Sequence, residues 1–297
     1  MIGWDRGRPA RNAPKARSLW NNAKLFSRFA LIAGETPALP ANHLIGELTK
    51  MNLAIFDIDG TLTNTNNVDE DCFVKAFAEA HSINDIVTDW TAYPHTTDSG
   101  ITQHIFQERF GRSPEESELS KLTNCFVSML SEYYQSDSAS FAEIPGASAA
   151  LKLLKQDSDW AVAIATGCWR ESALLKLKAA NIDPEGIPAA YAEDGLSRED
   201  ILKAAVSRSL EQLGVSCFER IVSIGDGLWD VRTAGRLNFA FLGIGCGESA
   251  TRLEQAGATH VIEDFSNYGQ VLKFLLEAEV PTLDYFNVSA EPASAPG

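Results

Sequence analysis

The stretch Ile55-Phe56-Asp57-Ile58-Asp59-Gly60-Thr61-Leu62-Thr63 decides how this chain is read. It closes the apolar run Leu53 to Ile58, which is too short for a helix and ends in charge and glycine, as a buried strand does. Two carboxylates two residues apart thus sit at the end of a strand, where open α/β sheets place their ligands. Strand alternation points both side chains to one face, whereas a turn would splay them, and Gly60 lets the backbone swing away. Two anions held that close repel, so both stay ionised only beside a cation or a dense set of donors, and a divalent metal is implied.

Working outward, short buried runs alternate with helical stretches. The runs are Leu53 to Ile58, Trp160 to Ala165, Ala189 to Ala192, Ile221 to Ile224, Phe239 to Ile244 and His260 to Ile262. Helical spacing covers roughly 170–180, 198–213, 228–237, 249–256 and 268–278. That alternation predicts an α/β fold, a parallel sheet with helices on both faces. One interval breaks it. The 81 residues from Asn64 to Ile144 are helical in period throughout, with helices predicted over 68–80, 101–110 and 114–134, the last started by Ser113 as cap and Pro114 in the first turn. The domain reading is therefore a core of 51–63 and 145–280 interrupted by an all-α insertion at 64–144.

The ends read differently. Residues 1–50 hold eight Lys/Arg against three Asp/Glu, and Met51 stands just before the strand. They are expected to form a basic extension, disordered or absent from the mature protein, with an organellar targeting segment as the second reading. Residues 281–297 read as a disordered tail.

The whole chain has 297 residues, 45% hydrophobic, and a net charge of −15, so 51–297 carry about −20. That balance repels a polyanion and speaks against a nucleic-acid partner. No apolar run approaches the ~18 residues of a membrane span, and Arg28 interrupts the best candidate. Five scattered cysteines without a C-x-x-C pair predict buried or half-buried free thiols in a reducing, cytoplasmic compartment.

Three further pieces fall at element boundaries. Val162 to Ala165 ends in Thr166-Gly167, whose hydroxyl and following amide suit an anionic oxygen. Ile221 to Ile224 runs into Gly225-Asp226-Gly227-Leu228-Trp229-Asp230, and carboxylates at that spacing suit Mg2+ as hard oxygen ligands. Arg198 opens a helix as a fixed positive charge near the same edge. Any one of these occurs by chance; together they converge on one edge of one sheet.

In this order the motifs resemble those of the haloacid dehalogenase superfamily, over residues 52 to about 262. The resemblance implies a Rossmannoid core with Asp57 as nucleophile, Asp59 as general acid/base, Thr166, Gly167 and Arg198 holding phosphate, and Asp57, Asp59 (through its backbone carbonyl), Asp226 and Asp230 holding Mg2+. Neighbouring carboxylates are expected to raise the Asp59 pKa. The family most often has Lys at the third position; Arg198 takes it here, with Lys203 as fallback. An acid at Asp59 argues for phosphoryl chemistry, because a departing halide needs no proton.

The insertion resembles the helical cap of phosphoglycolate phosphatase and β-phosphoglucomutase relatives, and the 31 residues from Gly167 to Ser197 leave no room for a second cap. The resemblance thus implies a magnesium-dependent phosphomonoesterase acting on a small phosphorylated metabolite, of phosphoglycolate or sugar-phosphate type. Alternatives are a phosphomutase, a phosphonate hydrolase using Lys75 or Lys121 of the cap, and a phosphate-binding protein without turnover. Substrate choice is expected from His95, Thr97, Asp98, Trp169 and Arg170. Asp98 or Ser99 as a helix cap, and Trp169 as core packing with Arg170 as a solvated helix start, are the competing readings. Trp229 is a further pocket candidate, and oligomeric state stays open.

Overall fold

The structure, a computed structural model, describes residues 51–282. The expectations for residues 1–50 and for 283–297 lie outside that range. Six parallel strands form one sheet: β1 (Asn52–Phe56), β2 (Trp160–Ala165), β3 (Ala189–Ala190), β4 (Arg220–Gly225), β5 (Ala240–Ile244) and β6 (His260–Ile262), in the order β3-β2-β1-β4-β5-β6. β1 lies between β2 and β4 in matching register, Asn52 opposite both Trp160 and Arg220. The strand order reverses at β1, which puts a crevice beyond the carboxyl ends of β1, β2 and β4.

Period-two alternation assigns the layers. Ala54, Phe56 and Ile58 face α4 (Ala147–Gln156), α5 (Arg170–Ala179) and α9 (Tyr268–Glu277), whose Leu151, Leu177 and Leu275 complete that core. Leu53 and Ile55 face the other way, onto Ile201, Leu202 and Ala205 of α6 (Arg198–Leu213). Farther along the sheet, Phe241 packs on Val231 and Ala234 of α7 (Leu228–Leu237), beside Leu253 of α8 (Gly247–Gln255). Both faces being covered, the strands read as near-continuous apolar runs.

The insertion holds α1 (Asn66–His81), α2 (Asp98–Phe110) and α3 (Glu116–Ser136), with their own core around Phe73, Phe77, Phe106, Phe126 and Leu130. It leaves and re-enters the core by two strands of chain that run side by side: Asn64 donates to Ala142 and Ile144 to Leu62, 2.9 and 3.0 Å. Trp169, from the loop after β2, is buried among Phe73 and Phe126, ring centroids 5.8 and 6.0 Å apart, and ties the insertion to the sheet.

Four local expectations change. Helix α3 starts at Glu116, not Pro114: Glu115 and Glu118 exchange capping-box hydrogen bonds, and Ser113 caps nothing. Helix α2 starts at Asp98, and its cap is Thr97, which accepts from Gly100, rather than Asp98 or Ser99. Helix α4 had no assigned place in the sequence. Finally, Cys217 and Cys246 are exposed, while Cys72 and Cys168 are buried and Cys125 is intermediate; all five thiols are free. No helix among the described residues is long and apolar enough to cross a membrane.

Candidate active site

The carboxyl ends of β1 and β2 and the N-terminus of α6 deliver Asp57, Asp59, Gly167 and Arg198 to one cleft of about 260 Å3, roofed by α1, α2 and the Trp90 turn, and the carboxyl end of β4 and the N-terminus of α7 place Asp226 and Asp230 against Asp57 beside it. Asp57 follows β1 directly and is buried. Asp226 follows β4, and Asp230, in the first turn of α7, folds back to accept from the Gly227 amide, 3.0 Å. Oxygens of Asp57, Asp226 and Asp230 all lie within 4.8 Å of one another. Gly60 makes room for them: its φ is +71°, and a Cβ there would collide with the Asp226 carboxylate.

Arg198 reaches across from α6. Its Nη1 donates to Asp57 at 3.3 Å and to Asp230 at 3.0 Å, and its Nε donates to the Thr96 carbonyl at 3.0 Å. Gly167 permits that approach, since a Cβ would lie 2.8 Å from Nη2. Burial would lower the Arg198 pKa, but the Asp230 and Asp57 carboxylates outweigh it and raise it, so the guanidinium stays charged. Lys203, the fallback, is exposed and pairs with Asp200 at 3.6 Å, well away from the cleft.

Three close carboxylates, Asp57 and Asp230 buried and Asp226 half-buried, have one guanidinium among them, which of the three touches only Asp57 and Asp230, and are under-neutralised. Burial, with Asp230, Asp226 and Asp59 adding to it against Arg198, pushes Asp57 well above the usual carboxylate range. Burial followed by Asp230 pushes Asp226 up to about 7. A hard divalent cation fits this donor set, because oxygen ligands crowded without countercharge are what it relieves.

Asp59 does not share that face. The turn splays the pair, and the Asp59 carboxylate points away from Asp226 into a second polar cluster. Both its oxygens lie 2.8 Å from Lys176 Nζ, while the Cys168 thiol donates at 2.8 Å and Thr65 Oγ1 at 2.5 Å. Lys176, on α5 and fully buried, also pairs with Asp69 of α1. Here the expectation of a raised Asp59 pKa fails. Burial does raise it, but the Lys176 ammonium and the hydrogen bonds from Cys168, Lys176 and Thr65 more than reverse that, and the carboxyl ends below its ordinary value. Asp69 is pushed up to about 6, mainly by burial, against Lys176. Lys176 itself is held protonated: burial opposes the charge, and Asp59 and Asp69 outweigh it.

Thr166 is buried beside the cleft, its Oγ1 accepting from the Cys168 amide at 3.2 Å, and Gly167 lines the cleft. The expected specificity residues divide. Asp98 lines the cleft and accepts from the Trp169 amide at 2.8 Å. Thr97 spends its hydroxyl on capping α2 and on the Leu196 carbonyl, Trp169 is buried packing with Nε1 on Ser99, and Arg170 lies outside over the Tyr191 ring. His95 is exposed and lines a neighbouring depression with Arg232 and Arg236. Trp229 does line the cleft.

The residues that sequence reasoning missed are Lys176, Asp69, Cys168, Glu70, Phe73 and Trp90. A signal existed for Lys176: it falls three residues after Ala173 and one before Leu177, on the buried stripe of its helix, where a lysine demands partners.

A family model described as haloacid dehalogenase-like hydrolase matches residues 51–238. No curated protein matches the chain. Among solved structures, a hydrolase from Pseudomonas syringae is 23% identical with a TM-score of 0.56, covering 74% of this chain and 97% of its own. A phosphonoacetaldehyde hydrolase-like protein from Oleispira antarctica is 17% identical with a TM-score of 0.54, covering 79% and 97%. A putative β-phosphoglucomutase from Bacteroides vulgatus is 16% identical with a TM-score of 0.53, covering 78% and 91%.

Proposed function

The chain belongs to the haloacid dehalogenase-like hydrolases, and from that premise we propose that it is a magnesium-dependent phosphomonoesterase that works through an aspartyl-phosphate on Asp57. The observation that carries this reading is the splayed Asp57/Asp59 pair. One carboxylate sits against Arg198 and the Asp226/Asp230 pair, the other two residues on is held by Lys176 across the same cleft. Nucleophile and proton carrier thereby face a bound ester from two sides.

Asp57, Asp226 and Asp230 would hold Mg2+, which when bound supplies the positive charge that lets an anionic nucleophile meet an anionic phosphate. Arg198 binds the equatorial phosphate oxygens, offering nitrogens in a planar fork, with the Gly167 backbone packed beside its guanidinium and Thr166 next to it in the chain. An Asp57 oxygen attacks phosphorus in line; the bond from phosphorus to the ester oxygen breaks, and the departing alkoxide takes a proton from Asp59. Water then attacks the acyl-phosphate, giving its proton to Asp59, and Asp57 and inorganic phosphate are released.

Asp59 begins as a carboxylate, ready for the second half. The incoming phosphate dianion raises its proton affinity by like-charge repulsion, which loads it for the first half. The helical insertion acts as the cap: its paired linkers at 62–64 and 142–144 form a short two-stranded connection about which it can close, shutting water from the acyl-phosphate.

The phosphonate-hydrolase alternative needs a free amine facing the carbonyl. Lys75 pairs with Asp71 on the exposed surface and Lys121 donates to the Ala80 carbonyl at 2.7 Å, and neither lines the cleft. Lys176 is buried and protonated. The deciding experiment is phosphate release from small phosphate esters by the wild type and Asp57→Asn, each with Mg2+ and with EDTA. Release by the wild type alone, abolished by chelation, is the expected result; equal background from both proteins refutes turnover.

A further inference from the structure

The phosphatase reading leaves the alcohol of the ester open, and the following inference rests on that reading. The cleft has two chemically different ends. Arg198 is the one cation among its lining residues, and Asp57, Asp230 and the Thr96 carbonyl already occupy it at the phosphate end. The leaving oxygen must lie on the Asp59 side, since Asp59 supplies its proton. The alcohol then extends along the wall built by α1, α2 and the turn between them.

That wall presents Asp69, Glu70 and Asp98 with Phe73, Trp90 and Ile101, and no Lys, Arg or His. Lys176 lies behind it but is consumed by Asp59 and Asp69. Glu70 is the carboxylate left over: among the described residues it accepts one hydrogen bond, from Trp90 Nε1 at 2.9 Å, and no cation pairs with it. Beside it the Phe73 and Trp90 rings stand edge to face, centroids 5.9 Å apart. A carboxylate flanked by aromatic surface is the chemistry that holds an ammonium group, through charge and through the ring quadrupoles. A second anion on the substrate would meet the unpaired Glu70 carboxylate with no cation on that wall free to receive it. The basic depression at His95, Arg232 and Arg236 does not provide one, because it shares Thr96, Arg198 and Trp229 with the cleft but not Asp59, and Arg236 is paired with Glu199 at 2.8 Å.

We propose that the substrate is a phosphate monoester of an amino alcohol, its primary or alkylated ammonium seated beside Glu70 on the aromatic wall formed by Phe73 and Trp90, and with no anion besides the phosphate. Glu70 is then a specificity-determining residue. This is a different substrate from the phosphoglycolate or sugar phosphate that the sequence resemblance implies.

The test is kcat/KM with Mg2+ on O-phosphoethanolamine, phosphocholine, propyl phosphate, 2-phosphoglycolate and p-nitrophenyl phosphate, for wild type and Glu70→Gln. The two-carbon esters are close in size and differ in the sign of the distal charge. The expected result is that phosphoethanolamine or phosphocholine exceeds phosphoglycolate by about tenfold or more, and that Glu70→Gln shrinks this ratio severalfold. The ratio within one protein is insensitive to any loss of folded material. Phosphoglycolate turned over as fast as the ammonium esters, or a ratio unmoved by Glu70→Gln, overturns the proposal while leaving the phosphatase intact. No phosphate from any ester, p-nitrophenyl phosphate included, overturns the phosphatase reading itself.

Discussion

Replacing Lys176 by Met keeps most of the side chain's length and removes its charge, so it isolates what the buried ammonium does. In the native protein that ammonium lies 2.8 Å from both oxygens of Asp59, pairs with Asp69, and is fully buried. Removing it strands two carboxylates in a low-dielectric interior, and breaking a buried pair in this way costs roughly 3–5 kcal/mol. For a domain of this size that is a fall in Tm on the order of 10 °C. The pH dependence follows from the signs. In the native protein the Asp59 carboxyl is held below its ordinary value, so its contribution is fully present above the unfolded pKa and is lost as pH falls through the folded one. Without Lys176, the largest influence left on Asp59 is burial, which raises its pKa against the remaining hydrogen bonds from Cys168 and Thr65. The penalty is then full above the raised pKa and is relieved by protonation as pH falls. Urea unfolding at pH 8 and pH 5 reads this out: the gap between the two proteins is widest at pH 8 and narrows at pH 5. A loss under about 1 kcal/mol, or a gap independent of pH, would refute the assignment of Lys176 as countercharge to Asp59. In turnover, the variant should lose more on alkyl phosphates than on p-nitrophenyl phosphate, because a good leaving group needs the Asp59 proton less.

Two further outcomes separate the roles of neighbouring charges. Arg198→Lys keeps the charge but loses the guanidinium whose Nη1 bridges Asp57 and Asp230 while its Nε holds the Thr96 carbonyl, and is expected to lower kcat about 100-fold, whereas exposed Lys203→Ala leaves activity and stability within about 0.5 kcal/mol of wild type; steady-state kinetics and thermal melts decide it, and equal effects would reject Arg198 as the phosphate ligand. Because Asp226 titrates at about 7 and Asp57 is raised well above its ordinary value, the metal-free protein binds protons there that the unfolded chain does not. Its stability therefore falls as pH rises through that range, and Mg2+ affinity rises with pH as the ligands lose protons; calorimetric titrations at pH 6 and pH 8 should show tighter binding and less proton release at pH 8, and a pH-independent affinity would contradict the three-carboxylate site.

The cleft thus sets two electrostatic regimes two residues apart on the chain. Asp57 stands among carboxylates, and burial and those neighbours leave it short of positive charge. Asp59 stands against a buried ammonium that, together with the hydrogen bonds from Cys168 and Thr65, more than offsets its burial. Environment divides one pair of like residues into a metal-facing nucleophile and a separately held proton carrier.

Most of the fold was legible because it is written in local period. Buried runs at β1, β2, β4 and β5 are apolar on both faces, Gly and Asp punctuate their ends, and the long helical interval at 64–144 has no strand signal at all. The principal carboxylates and Arg198 were legible for a related reason: each stands at an element boundary, and parallel α/β topology brings such boundaries to one edge. What the chain could not declare by itself was which way side chains turn once there. Whether Asp57 and Asp59 point together or apart depends on a turn whose Gly60 backbone answers to Asp226, 166 residues later. The partner of Asp59 comes from α5, 117 residues away, and that of Lys176 from α1. Even the pKa direction of Asp59 was set there, since burial and countercharge are sums over tertiary neighbours, and a distant ammonium with the hydrogen bonds from Cys168 and Thr65 reverses the sign that nearby carboxylates suggest.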